Sequence, residues 1–164
     1  MNRLLSFAAV LLLTGCAGYR VGPTQPLPYR SVAVPMFQNK TLVPQLEAQV
    51  SNAIIKRLQS DGTLQVRSVA EADVVVTGVI QKYKRRLLRT QSNDTNTPRE
   101  YELTIVARIE VRDHAGKLVF DPAKVEGSAE TFIGDDLQSA EEQALPLIAD
   151  DLAKRVVTLL AERW

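Results

Sequence analysis

Val74-Val75-Val76-Thr77-Gly78-Val79-Ile80-Gln81-Lys82-Tyr83-Lys84-Arg85-Arg86-Leu87-Leu88-Arg89 decides how this chain folds. Its first half is rich in β-branched residues and apolar on both alternating faces. A run of this kind reads as a strand lying centrally in a sheet. From Gln81 the character changes, and Lys82, Lys84, Arg85, Arg86 and Arg89 crowd together. By the strand period of two, Lys82, Lys84 and Arg86 share one face, and Arg85 and Arg89 share the other. One strand, Val74 to Leu88, is therefore expected to begin in the core and to end as a basic tip.

Beyond it, Thr90 to Arg99 reads as a polar surface loop, with Asn93-Asp94, Asn96 and Pro98. Glu100 to Asp113 returns as an amphipathic strand. Tyr101, Leu103, Ile105, Ala107, Ile109 and Val111 face one way, and Glu102, Thr104, Arg108, Glu110 and Arg112 the other, with Val106 the exception. Only one face of such a strand is expected to be buried. His114-Ala115-Gly116-Lys117 is a tight turn. A further strand, Leu118 to Thr131, is broken near Asp121-Pro122, with Val125, Gly127 and Ala129 on one side.

The last element is a long helix. Ala140, Ala144, Ile148, Leu152, Val156, Leu160 and Trp164 step by four along one face. Ser139 and Glu142 have capping-box spacing. Pro146 inside the pattern either kinks the helix or marks its true start.

Upstream of the central strand, Glu71-Ala72-Asp73 turns the chain, and Thr63 to Val69 is a short strand. A helix runs from near Pro44 to Asp61-Gly62. Leu46, Val50, Ile54 and Leu58 form its apolar face, and Gly62 suits a left-handed cap. Ser31 to Phe37 is the first strand; Pro35 pushes it to an edge or ends it early. Gln38 to Thr41 is a turn. Two amphipathic helices and one sheet with an apolar face define the expected fold: an α+β two-layer sandwich, a mixed or antiparallel sheet packed against two helices.

Ahead of this domain, Ala17 to Tyr29 holds Gly18, Gly22, Pro23, Pro26 and Pro28 and reads as an extended tether. Met1-Asn2-Arg3, the apolar run Leu4 to Leu13 and the small residues Thr14-Gly15 make a secretory leader that ends on Cys16. The run is too short to span a bilayer, which takes roughly 20 apolar residues. Leu13-Thr14-Gly15-Cys16 resembles a bacterial lipobox, so cleavage would leave Cys16 as an acylated first residue carrying diacylglycerol and an N-acyl chain. Several chains, at about 0.8 kcal/mol per buried methylene, give stable anchoring. Ala17, rather than Asp, favours the outer membrane. The expected organisation is a lipoprotein signal over 1–15, the acylated Cys and tether over 16–30, and one domain over 31–164.

The full chain of 164 residues has a formal charge of +1, and losing Arg3 with the leader leaves it neutral. That gives no general case for nucleic acid as a partner. Cys16 is the only cysteine, so neither an intrachain disulfide nor a thiolate metal site is available, and no resident metal or cofactor is expected. No Gly-rich phosphate loop, no Gly-x-Ser-x-Gly and no metal-ligand spacing is present, and the single histidine, His114, sits in a turn. The acids Asp135, Asp136, Glu141 and Glu142 surround the start of the last helix, where negative charge suits its dipole. No catalytic residues and no enzyme are expected. The feature that asks for a partner is the basic group Lys82, Lys84, Arg85, Arg86 and Arg89, with Arg99 across the loop. Guanidinium and ammonium groups pair with phosphate, and lipid phosphates or lipopolysaccharide are the fitting ligands for an envelope protein. The alternative is a solvated strand end whose charges discourage edge pairing.

Several stretches carry a family likeness: Leu13-Thr14-Gly15-Cys16-Ala17-Gly18-Tyr19, Ser31-Val32-Ala33-Val34-Pro35 with Asn39-Lys40-Thr41, Ala72-Asp73-Val74, and Glu100-Tyr101-Glu102-Leu103, followed by the terminal helix. Together they resemble the LPS-assembly lipoprotein family LptE. The resemblance implies an outer-membrane lipoprotein, anchored on the periplasmic side, that plugs a large β-barrel, LptD, helps it assemble and binds LPS. The family's basic strand-tip site falls near Lys84 to Arg89. A further basic contribution ahead of the last helix does not carry over, since Gly134-Asp135-Asp136 is acidic. A non-enzymatic scaffold lipoprotein of another secretion or cell-wall complex is the alternative function.

Overall fold

The computed structural model describes residues 28–89, 99–133 and 136–163, the side chains of Arg89, Arg99 and Ile133 excepted. The element order is β1 (Ser31–Ala33), β2 (Gln38–Asn39), α1 (Leu46–Asp61), β3 (Gln65–Val66), β4 (Val74–Arg89), β5 (Arg99–Asp113), β6 (Ala123–Ile133) and α2 (Leu137–Glu162). The sheet runs β3-β1-β4-β5-β6, with β2 also on β4. β1, β2 and β3 pair in parallel, while β4, β5 and β6 form an antiparallel meander. Both helices pack on one face of this mixed sheet, which is the expected two-layer sandwich.

The core forms where the periodicities place it. Leu46, Val50 and Ile54 of α1 and Ile148, Leu152 and Val156 of α2 are fully buried. They meet Val74, Val76 and Ile80 of β4 and Leu103, Ile105 and Ile109 of β5 in one apolar cluster. Each such side chain contributes about 1.5–3 kcal/mol by leaving water. On β5 the predicted face is buried from Leu103 to Val111. Val106 is also fully buried, but on the opposite face and outside that cluster.

Several boundaries differ from expectation. The first strand stops at Ala33 and pairing resumes at Gln38–Asn39, within the expected turn. Pro35 ends the ladder, and the Phe37 N–H is donated instead to Ser51 Oγ of α1 at 2.9 Å. Nor is β1 an edge: two-residue β3 lies outside it. That same β3 is shorter than the expected Thr63–Val69. α1 starts at Leu46, two residues after Pro44, with Gln45 at φ 60° before it. Gly62 closes α1 at φ 72°, its N–H donated to the Leu58 carbonyl, as expected.

Asp136, not Ser139, caps α2, accepting the N–H groups of Gln138 at 3.0 Å and Ser139 at 3.3 Å. The helix runs through Pro146, which lies on its exposed side, so Pro146 is not its start. Leu118 makes only an isolated bridge to Arg112, and β6 begins after the Asp121-Pro122 break. The expected 90–98 loop, the tether up to residue 27 and Trp164 lie outside the described residues.

Two glycines set the distance between layers. A Cβ on Gly127 of β6 would lie 2.5 Å from the Leu152 backbone nitrogen, and one on Gly78 of β4 would lie 2.1 Å from the Phe37 ring. Beside Gly127, the edge amide of Ser128 is donated to Asp151 Oδ2 of α2 at 3.0 Å. α2 thus both packs on β6 and covers part of its open edge.

Candidate functional site

The chemistry of the tip follows from a bulge. Ile80 pairs with Ala107 and Lys82 with Val106, so Gln81 is an extra residue on β4. Below it, even positions face the helices: Val74, Val76 and Ile80 are buried. Above it the parity flips, because one inserted residue turns every later side chain over. Tyr83 and Arg85 now face the helices. Lys82, Lys84 and Arg86 stand on the opposite, helix-free face.

This outer row is exposed throughout. Arg86 pairs with Glu102 of β5 at 2.8 Å. Among the described residues, neither Lys82 nor Lys84 makes an ion pair. Lys84 is near enough to Glu126 of β6 to help hold that carboxyl below its ordinary pKa, after the larger effect of the Lys124 ammonium at 2.5 Å. Leu87 and Phe132, both large, apolar and exposed, lie on the same end of the sheet.

Arg85 has a different role from the outer cations. Its Nε is 2.7 Å from Glu141 Oε1 on α2, close enough for an ion pair although the N–H is not aligned as a hydrogen bond. Its guanidinium lies 6.0 Å from the centre of the Tyr83 ring. Burial, followed by the Glu141 charge, pushes the Tyr83 phenol up to about 12, against the opposing pull of Arg85. Tyr83 is therefore a neutral phenol at physiological pH.

The expected partition of Lys82, Lys84 and Arg86 from Arg85 holds, but Arg89 leaves the pattern. A second irregularity between Leu87 and Arg89 pairs position 89 with Glu100, so spacing by two no longer links it to Arg85. The Arg99 backbone pairs with that of Ile133. Cys16 lies outside the described residues. His114 is exposed in its turn, where Asp113 Oδ1 accepts the N–H groups of Ala115 and Lys117. Among the described residues no cluster of His, Cys, Asp or Glu could hold a metal ion, and no helix is long and apolar enough to cross a membrane.

The chain joins the domain at the opposite end. Val32 pairs with Val74 at the start of β4, and Asp73 accepts the N–H groups of Arg30 and Ser31, each at 2.9 Å. From Val74 to Arg86 the strand extends roughly 40 Å at ~3.3 Å per residue. The cationic row and the start of the described chain are therefore at opposite poles.

No match is found among curated proteins. Among solved structures, a hypothetical protein from Chlamydia trachomatis superimposes with a TM-score of 0.55 at 14% identity, over 82% of this chain and 97% of its own. A minor lipoprotein from Acinetobacter baumannii gives 0.50 at 16% identity, over 84% and 97%. An uncharacterized lipoprotein B from Nitrosomonas europaea gives 0.51 at 14% identity, over 88% of each chain. These likenesses establish the fold. The sequence profile of LptE, lipopolysaccharide-assembly, matches residues 29–160, which spans every element from β1 to β6 and most of α2. The chain belongs to the LptE lipopolysaccharide-assembly family.

Proposed function

We propose that this protein is an outer-membrane lipoprotein, acylated on Cys16, that plugs and helps assemble an LptD-like β-barrel and binds LPS at the β4–β5 tip. The observation that carries the reading is the polarity of the domain. The described chain begins at one pole, where a tether from Cys16 would join it. Lys82, Lys84 and Arg86 stand toward the other, roughly 26 to 40 Å away along the strand. A domain anchored at its base would thus hold its cations far from its own membrane leaflet. Exposed Phe132, which shares the face of those cations, suits a ligand carrying both phosphates and acyl chains. Arg89 and Arg99 belong to this proposed site by their positions in the hairpin. The remainder of the helix-free face is laced with ion pairs such as Arg112–Glu110 and Lys124–Glu126, as suits contact with water or with a polar barrel lumen.

The test is purification of the intact lipoprotein from outer membranes under mild detergent. A large β-barrel in equal amount and bound LPS are the expected companions. Recovery with the components of a different secretion or cell-wall complex, and with no barrel, would overturn the reading.

A further inference from the structure

β6 is the last strand of the sheet, and no described strand pairs with its outer edge. The Ser128 N–H is donated outward to Asp151, so by strand alternation the N–H and C=O groups of Lys124, Glu126, Glu130 and Phe132 point outward as well. Among the described residues none of these four N–H groups has a partner. All four residues are exposed.

The two halves of this edge are protected differently. Below Ser128, Lys124 and Glu126 set an ion pair along the strand, and Asp151 takes the Ser128 amide. Charges and covered amides are ordinary defences of a sheet edge. Above Ser128 the flanks are apolar. Leu147 precedes Asp151 by about one helical turn, or about 6 Å along α2. That carries it alongside Glu130, two residues beyond Ser128. Leu147 is 61% exposed, and Phe132, on the other face of the strand, 65%. Unpaired main chain thus lies between two exposed apolar side chains. The local charge has a sign too. Glu130 stands opposite Glu102 of β5, which Arg86 already holds, and Glu130 itself makes no ion pair among the described residues.

We propose that the 129–133 end of β6 is a β-augmentation site, where an extended segment of a second protein adds as one more strand. Its main chain pairs with the outward groups of Glu130 and Phe132. A lysine or arginine sits opposite Glu130, and aliphatic side chains on the helix side cover Leu147. The repeat of outward groups every two residues, about 7 Å, is that of another extended chain. The occupant is a different protein, since antiparallel pairing with a second β6 would turn the two domains head to tail and oppose the anchors proposed above.

The test uses the full-length lipidated chain in cells, with a photo-crosslinking amino acid in place of Phe132 or Leu147 and, as a control, of exposed Gln59 on α1. Adducts are mapped by mass spectrometry. Positions 132 and 147 should label the same segment of one other protein, and position 59 should not. Glu130→Pro removes an outward N–H that the sheet does not use, so the melting temperature should hold. The yield from position 147 should fall at least about tenfold in that background. Glu130→Gln keeps the N–H and loses only the charge, for a fall within about fivefold. Leu147→Glu, on the helix surface, should cut the yield from position 132 whatever the proline does to the fold. Adducts on a second copy of this chain, on lipid or glycan, or scattered over unrelated proteins would each overturn the proposal. So would no adduct above the control, equal yields from the proline and glutamine variants, or a yield indifferent to Leu147→Glu.

Discussion

Arg85 Nε of β4 lies 2.7 Å from Glu141 Oε1 of α2, and this pair joins the strand tip to the helix layer. The Arg85 side chain is 50% exposed and that of Glu141 18%, so water screens the attraction. Glu141→Gln should cost no more than about 1 kcal/mol of stability. It should act more visibly on Tyr83. The Glu141 charge disfavours the phenolate, so its loss should lower the Tyr83 pKa from about 12, while burial keeps it above the ordinary 10.0. Ultraviolet titration of the variant against Tyr83→Phe controls measures the shift. A rise would contradict this account.

The approach of α2 to β6 depends on Gly127. Gly127→Ala places a methyl against the Leu152 backbone, which cannot rotate away. Overpacking of this kind costs about 1–3 kcal/mol, and the upper end is expected, read as a fall in urea midpoint. Gly78→Ala meets the Phe37 ring instead. Adding Phe37→Leu should recover part of the loss at Gly78, whereas Leu152→Ala should not rescue Gly127→Ala.

The helix faces and the alternation of β5 were legible because one side of each element is buried, and a repeating pattern records that. The central position of β4 followed from its β-branched first half. The bulge at Gln81 was not legible: an extra residue changes which face later side chains occupy without changing composition. That is why Tyr83 reads as one aromatic among cations, although it closes part of the core. Glu141, whose charge acts on Tyr83, comes from α2, far along the chain, so sequence spacing carried no signal for that contact. The cap of α2 was misplaced because Asp136 and Ser139 both suit an N-cap, and geometry alone decides between them. At the other pole, Pro35 signalled a broken strand. It could not signal that Gln65–Val66 would cover that strand's outer edge.

Carboxylates fasten the chain at both poles, and acid should loosen it. Backbone donation from Arg30 lowers the Asp73 pKa first, followed by the Ser31 hydroxyl and N–H; the Ser139 hydroxyl lowers that of Asp136 first, followed by its N–H. A depressed folded-state pKa contributes stability that is present above the unfolded value and lost as pH falls through the folded one. The unfolded value for both is near 3.8, so the loss should begin around pH 4 and grow below it. Denaturation midpoints measured from pH 6 to pH 2.5 should show that slope. Asp73→Asn should flatten part of it, by removing a titrating group while keeping an oxygen acceptor for the Arg30 and Ser31 amides.

The division of the tip into two faces makes the last prediction directional. Lys82, Lys84 and Arg86 stand together on the helix-free side, and Lys82 and Lys84 make no ion pair among the described residues. Reversing Lys84 and Arg86 to Glu replaces two cations by two anions beside Glu102 and Glu126. If this row meets phosphate, LPS binding by the purified lipoprotein should fall at least about tenfold, with a shallower dependence on salt. The melting temperature should move little, since exposed pairs such as Arg86–Glu102 contribute about 0–1 kcal/mol. Arg85→Ala is the contrast: it removes one cation from the opposite face and should leave that binding within about twofold. Equal losses from both would mean that the ligand reads total charge at the tip rather than one face of the strand. Gln81 is the extra residue at the bulge, so deleting it should leave Lys82 next to Ile80 and opposite Val106, with Tyr83 and Arg85 still on the helix side and the contrast between the two faces intact.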